Sequence, residues 1–241
     1  MRKTFLPYGV LLVLALCLSA LGCDGDPGER PKKTKPSEKR QIGKNVFFEK
    51  QGDVRRVHVL ATVCLREGQL EQLLTRKHTK EHEAVLSADV DARQIHAALL
   101  AAGAEAGSPV TFRPEFKAPT GTRIKISLEY QKDGKTVRVH AQEWVRNART
   151  RKPLQHDWVF AGSQFVPNPL EPKAPDLYLA NEGDVICVSN FESAMLDLPI
   201  VSPKDNDELV FEANTDRIPA VGTAVTVILE PVREAKKKVS R

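Results

Sequence analysis

The strongest constraint on the fold is a period-two alternation of apolar and polar residues in two segments of the chain. In residues 57–65 every odd position is apolar, and in residues 124–130 every even position is apolar. Successive side chains of a β-strand point to opposite faces, so each segment predicts a strand with one face on a core. The chain is therefore expected to fold around a β-sheet.

Nine further segments carry shorter versions of the same signal. They are residues 45–49, 70–75, 83–86, 110–113, 136–145, 158–166, 184–189, 208–213 and 224–229. About eleven short strands exceed what one flat sheet usually holds. We therefore expect a mainly antiparallel sheet arranged as a sandwich or a half-barrel.

One segment has helical spacing. Ala92, Ile95, Leu99 and Ala102 form an apolar stripe, Asp89 or Asp91 can cap its start, and Gly103 suits the left-handed residue that ends a helix. The predicted fold class is a β-rich α+β domain with one helix packed on the sheet.

The first 22 residues have the form of a lipoprotein signal peptide. Arg2 and Lys3 precede an apolar run at residues 10–18, and small residues lead to Cys23. The run is too short to span a bilayer, so we expect cleavage and a lipid on Cys23 that anchors the chain in a membrane of the cell envelope, periplasmic or surface-facing. The alternative is an ordinary signal peptide and a secreted soluble protein. Both place the chain outside the cytoplasm.

Composition divides the rest into three parts. Residues 23–44 are rich in proline and basic residues and hold no aromatic residue, which is typical of a flexible tether. Residues 45–232 form a single domain, and residues 233–241 form a basic tail.

Without the signal the formal charge falls from +5 to +3, since Arg2 and Lys3 are lost. This positive excess is too small to indicate nucleic-acid binding.

Histidine and acidic residues cluster at residues 78–83. His78 and His82 are expected to flank a hairpin, and with His96 they are weak candidates for a metal site, although Lys77 and Lys80 would oppose a cation. The alternative is a solvated turn. Glu81, His82 and Glu83 remain a candidate functional cluster together with Glu143 and Trp144.

Strand parity places Glu143 on the apolar face of residues 136–145, beside Trp144. Either a bulge shifts the register or Glu143 is a partly buried carboxylate that could act as an acid or a base. Ser163 follows Gly162 but lacks the Gly-x-Ser-x-Gly pattern of a nucleophile elbow, so a turn residue is expected there.

Cys64 and Cys187 lie on predicted strands in an oxidising compartment. They either pair as a disulfide that closes a long loop or remain two independent buried thiols.

Several spaced motifs resemble the YdjY-domain family of bacterial envelope proteins. They are KEHEAV at 80–85, IHAALLAAGA at 95–104, EWV at 143–145, WVFAGS at 158–163, IP at 218–219 and VIL at 227–229. Some members of that family carry a ferredoxin-like label, which implies four cluster-binding cysteines. Here Cys17 lies in the signal and Cys23 is the lipid site, so no iron–sulfur cluster or other cofactor is expected.

The resemblance brings no established activity, and no complete catalytic set is visible. The leading interpretation is a lipid-anchored envelope protein whose domain is a binding or structural module. The alternative is a metal-dependent or carboxylate/histidine hydrolase.

Overall fold

The computed structural model describes residues 37–171, 173–202 and 210–232. Within them the chain forms one α-helix, α1 (Ala92–Ala101), and three 3₁₀ turns, Glu81–Glu83, Ala141–Trp144 and Leu179–Glu182. The strands are β1 (Glu38–Gly43), β2 (Val46–Gln51), β3 (Val54–Val63), β4 (Gln69–Leu70), β5 (Gln72–Arg76), β6 (Ala84–Ala88), β7 (Arg123–Lys132), β8 (Lys135–His140), β9 (Val145–Asn147), β10 (Trp158–Phe160), β11 (Phe165–Val166), β12 (Leu177–Tyr178), β13 (Ile186–Cys187), β14 (Leu196–Asp197), β15 (Phe211–Ala213) and β16 (Ala224–Pro231).

Eight of these strands close into a barrel. The order is β3-β16-β7-β10-β14-β13-β5-β6, and β6 pairs again with β3. Closure is possible because β3 is long: residues 54–59 pair with β2, whereas Thr62 and Val63 pair with β6 along the same edge. The β-rich class, the single helix and the mainly antiparallel pairing are confirmed for the described residues. The expected sandwich or half-barrel is matched only in part, since the main sheet closes on itself as a full barrel.

The two alternating segments supply much of the barrel interior. Val57, Val59, Ala61 and Val63 of β3 are buried, and so are Ile124, Ile126, Leu128 and Tyr130 of β7. Between them lies β16, which is antiparallel to both. Burial on three adjacent long strands stabilises this side of the barrel by the hydrophobic effect.

Helix α1 forms where the apolar stripe predicts it. Asp91 caps its start by accepting a hydrogen bond from the Arg93 backbone N–H at 2.9 Å, and Gly103 follows its end with φ +90°. The stripe residues Ala92, Ile95, Leu99 and Ala102 are all buried. The helix packs against β1, β2 and β3 and against the 3₁₀ turn Leu179–Glu182.

Two pairs of barrel strands are parallel and are joined by very short crossovers. β5 and β6 are joined by residues 77–83, and β13 and β14 by residues 188–195. The hairpin expected between His78 and His82 was wrong, because β5 and β6 run in the same direction. A 3₁₀ turn reverses the chain before β6 begins.

Some sequence predictions fall at or beyond the described part of the chain. Residues 38–43, assigned by composition to the tether, form β1, which pairs with β2 through its backbone while its side chains stay largely exposed. The signal peptide, Cys23 and the tail at 233–241 lie outside the described residues. In the described ranges no helix is long and apolar enough to cross a membrane.

Candidate ligand-binding cleft

The histidine and acidic candidates do not assemble into one site. His78 lies exposed in a turn with φ +66°, and His82 is exposed in the following 3₁₀ turn, where its Nε2 lies 3.8 Å from Glu83 Oε2. Burial and the neighbouring Glu71 carboxylate raise the pKa of Glu83. Among the described residues no three His, Cys, Asp or Glu side chains are placed to hold a metal ion.

His96 lies on α1 in a separate aromatic cluster. Its Nδ1 is 2.9 Å from Tyr178 Oη, and the Tyr178 hydroxyl donates to the Gly162 carbonyl oxygen at 2.9 Å. The edges of Phe160 and Phe165 also contact the imidazole. Burial lowers the pKa of His96, which favours the neutral ring, and the contacts of this ring tie α1 to the chain around Gly162.

A 3₁₀ turn resolves the parity conflict at Glu143. The expected strand at 136–145 ends at His140, and residues 141–144 turn before β9. Glu143 accepts a hydrogen bond from the His140 backbone N–H at 3.3 Å, while Trp144 is buried against Tyr130. The expected bulge was wrong, whereas Glu143 is partly buried as the alternative predicted, and its carboxylate is part of a capping box.

Ser163 has a structural position in a turn. Its φ is +56°, its hydroxyl donates to the Ser193 carbonyl oxygen at 2.6 Å, and it accepts from the Ala180 backbone N–H at 3.0 Å. These contacts join the chain after β10 to two neighbouring loops.

Cys64 and Cys187 are free thiols. Cys64 Sγ donates to the Ala84 carbonyl oxygen at 3.1 Å, and burial raises its pKa to about 11. Cys187 is fully buried, and burial raises its pKa well above the ordinary range. Neither sulfur therefore carries the thiolate that nucleophilic or redox chemistry needs.

A polar cluster that the sequence did not reveal joins the two short crossovers. Asp184 is 3% exposed and accepts from Lys80 Nζ at 2.8 Å, Gln72 Nε2 at 3.1 Å and Ser193 Oγ at 2.6 Å. Burial works against the charge of Lys80, but the bond to Asp184 outweighs it and raises the lysine pKa. Nζ also lies 4.5 Å from the centroid of the Phe191 ring. Lys80 thus fixes one crossover on the other.

A long arm, residues 105–122, projects from the barrel between α1 and β7. Its two sides are held together by backbone hydrogen bonds between Thr111 and Lys117 and between Thr120 and Ser108. Its base is pressed on β10: the Gly107 N–H donates to the Phe160 carbonyl oxygen at 2.9 Å. A Cβ on Gly121 would lie 2.1 Å from that same oxygen, so only glycine permits this approach.

The tip of the arm and the second crossover enclose an open cleft of about 570 Å³, lined by Phe112, Arg113, Asn190, Phe191 and Glu192. Phe112 is 39% exposed and packs on Phe116 with the ring centroids 6.0 Å apart. The cleft has the volume of typical small-ligand sites. It presents two aromatic rings, one cationic side chain and one anionic side chain.

The charges of the cleft are uncompensated. Among the described residues the side chains of Arg113 and Glu192 form no hydrogen bond or ion pair. The Asn190 side chain, in contrast, is fully used: Nδ2 donates to Asp197 and to the Leu198 carbonyl oxygen, and Oδ1 accepts from the Ser202 N–H. Asn190 therefore shapes the wall, Arg113 and Glu192 present their charges to a ligand, and the rings of Phe112 and Phe191 also contact Phe116 and Lys80.

Comparison with known proteins gives one match. No curated protein and no solved structure matches the chain. The sequence model of the YdjY domain matches residues 50–230, a span that runs from β2 to β16 and holds the whole barrel, the arm and the cleft. The chain therefore belongs to the YdjY domain family.

Proposed function

We propose that this protein is an exported envelope protein, anchored through a lipid on Cys23, whose barrel binds a short peptide segment in the cleft of Phe112, Arg113, Asn190, Phe191 and Glu192. The observation that carries the binding role is the combination, in one cleft, of two aromatic rings with two opposite charges that have no partner among the described residues. A binding role is preferred to a hydrolytic one because His82, His96 and Glu143 have separate partners in the described part of the chain, namely Glu83, Tyr178 and the His140 backbone.

The side chains of the cleft indicate the chemistry of its ligand. Phe112 and Phe191 favour an apolar side chain, which loses contact with water between the rings. Arg113 favours a carboxylate and Glu192 favours an ammonium or guanidinium group. A peptide with an acidic and a basic residue on either side of an apolar one offers all three groups on an extended chain.

The residues before the barrel support the location. The signal pattern at 1–22 and Cys23 predict export and lipid attachment, and the proline-rich residues that follow place a spacer ahead of β1. The domain would then face the envelope with its cleft open to solvent.

Binding is tested by titrating the full chain, in detergent, with acetyl-Asp-Leu-Lys-amide while the backbone amide resonances are followed. Shifts confined to residues 112–113 and 190–192 are expected. Phe112→Ala should weaken binding at least tenfold, since the loss of one ring removes about 1.5–3 kcal/mol of burial. Leu100→Ala is the control: it removes an exposed apolar side chain on α1 that does not line the cleft. Equal losses in both variants, or no shift at the cleft, would contradict the binding role.

Anchoring is tested separately by mass spectrometry of the mature N-terminus and by cell fractionation. The wild-type chain is expected to carry acyl chains on Cys23 and to sediment with membranes, and Cys23→Ser should not. A mature chain with an unmodified Cys23 would refute the anchor and leave the binding role untouched.

A further inference from the structure

Three buried side chains, Gln72, Cys187 and Asp197, form a row across three adjacent barrel strands. Gln72 of β5 lies opposite Cys187 of β13, and the β13–β14 pairing of Ile186 with Leu196 brings Asp197 beside Cys187. Core residues surround the row, among them Leu74, Ile186 and Leu196. The side chains of Gln72, Cys187 and Asp197 are all 0% exposed.

Two buried oxygen atoms of this row accept no hydrogen bond from the described residues. Asp197 Oδ1 accepts from Asn190 Nδ2 at 3.1 Å and from the Leu198 N–H at 2.8 Å. Asp197 Oδ2 and Gln72 Oε1 are buried and have no donor among the described residues. A buried acceptor without a donor costs free energy. When Asp197 is ionised, its Oδ2 is a second such acceptor beside Gln72 Oε1. A proton on Oδ2 converts that oxygen from an unpaired acceptor into a donor.

The charges around Asp197 favour the neutral acid. Asp184 faces it from the start of β13 and adds a like charge, and the Cys187 thiol beside it carries none. Lys80 and Glu71 also reach this region near Cys187, but Lys80 donates its hydrogen bond to Asp184. Burial first, and then the charge of Asp184, raises the pKa of Asp197 to about 7.

Asp197 is connected directly to the cleft. Its Oδ1 holds the side chain of Asn190, whose residue lines the cleft and whose neighbours Phe191 and Glu192 carry the proposed ligand contacts. Asn190 is otherwise tied to Leu198 and Ser202. A change at Asp197 therefore reaches the crossover through Asn190 and through the backbone of Phe191.

We propose that Asp197 is a proton-operated control on the cleft: the neutral acid holds the crossover in the binding conformation, and ionisation loosens the crossover and weakens ligand binding. This regulation rests on the proposed peptide site. An ionised Asp197 is stabilised by water, and water reaches this fully buried carboxylate only if the chain packed over it moves. The control acts near neutral pH because the buried acid loses its proton there.

The first test follows Asp197 itself without any ligand. The ¹³C resonance of its side-chain carboxyl is expected to titrate near pH 7, together with the amide resonances of Asn190, Phe191 and Glu192. In Asp197→Asn, an uncharged side chain of the same shape, those amide shifts should vanish. A carboxyl that titrates below pH 5, or that titrates without moving the three amides, would overturn the proposal.

The pH dependence of the free energy of unfolding is a second measure of the proton on Asp197. The folded state binds it more tightly than the unfolded chain, so the free energy of unfolding should fall as the pH rises from about 4 to about 7 and then level off. Asp197→Asn should lack this fall, and Asp176→Asn, an exposed control, should retain it. Wild-type behaviour in Asp197→Asn would contradict the proposal.

The third test adds acetyl-Asp-Leu-Lys-amide. Its affinity for the wild-type chain should fall about tenfold from pH 6 to pH 8, whereas Asp197→Asn should bind equally at both values. Equal wild-type affinity at both pH values would refute the regulation while leaving peptide binding intact. If the peptide binds at neither pH but Asp197 titrates with its three amides, the proposed ligand is wrong and the proton-coupled crossover stands.

Discussion

Replacing Gly121 by alanine should loosen the arm that carries Phe112 and Arg113. A Cβ at this position would lie 2.1 Å from the Phe160 carbonyl oxygen and 2.7 Å from its carbon. Both are backbone atoms of β10, so no side-chain rotation can relieve the contact. The base of the arm must move away from the barrel, and the cleft at its tip should open.

Two energetic costs determine how much Gly121→Ala destabilises the protein. The φ of Gly121 is +131°, and a side chain in that region costs roughly 1–2 kcal/mol. Relief of the clash by a backbone shift costs about 1–3 kcal/mol more. Gly121→Ala should therefore lower the free energy of unfolding by about 2–5 kcal/mol.

Two other glycines separate these terms. Gly134 has φ +72° with open space around its Cβ position, so Gly134→Ala should show only the backbone term. In Gly107 the Cβ would lie 2.3 Å from Thr120 backbone atoms without the unusual φ, so Gly107→Ala should show mainly the clash. Urea unfolding monitored by circular dichroism measures all three. If Gly121→Ala is no less stable than Gly134→Ala, the tight approach of the arm to β10 is refuted.

Two further predictions concern the polar cluster and the thiols. Lys80→Met should cost about 2–4 kcal/mol because it leaves the buried Asp184 carboxylate without its cation, while Lys44→Met, whose partner is an exposed carboxylate, should change the urea midpoint much less. In a Cys23→Ser background, Cys187 should react with a thiol reagent at pH 8 only when urea unfolds the protein, and Cys64 should react slowly in the folded state. Rapid labelling of folded Cys187 would contradict its burial.

The long strands and the helix were predictable because one local pattern determines each of them. Alternation in β3 and β7 reports which face is buried, and the stripe and Asp91 cap of α1 report its length. Closure of the barrel was not predictable in this way. It depends on β6 returning to the far end of β3 after a parallel crossover, and period-two patterns do not specify strand partners.

The candidate site was missed for a related reason. Lys80 and Asp184 are 104 residues apart, and Phe112 and Phe191 line one cleft although they belong to segments far apart in the sequence. The sequence does mark Asp197 as unusual, since it is an acidic residue inside the apolar run at residues 194–198. Such a residue is a candidate for a buried carboxylate.

The central claim is that the cleft binds a peptide through Arg113 and Glu192, and exchange of these two charges tests it most directly. The wild-type chain should prefer one order of residues when acetyl-Asp-Leu-Lys-amide and acetyl-Lys-Leu-Asp-amide are titrated at the same pH. The double variant Arg113→Glu/Glu192→Arg keeps the net charge and should prefer the opposite order. An unchanged preference in the variant, or equal binding of both peptides by the wild-type chain, would contradict the account.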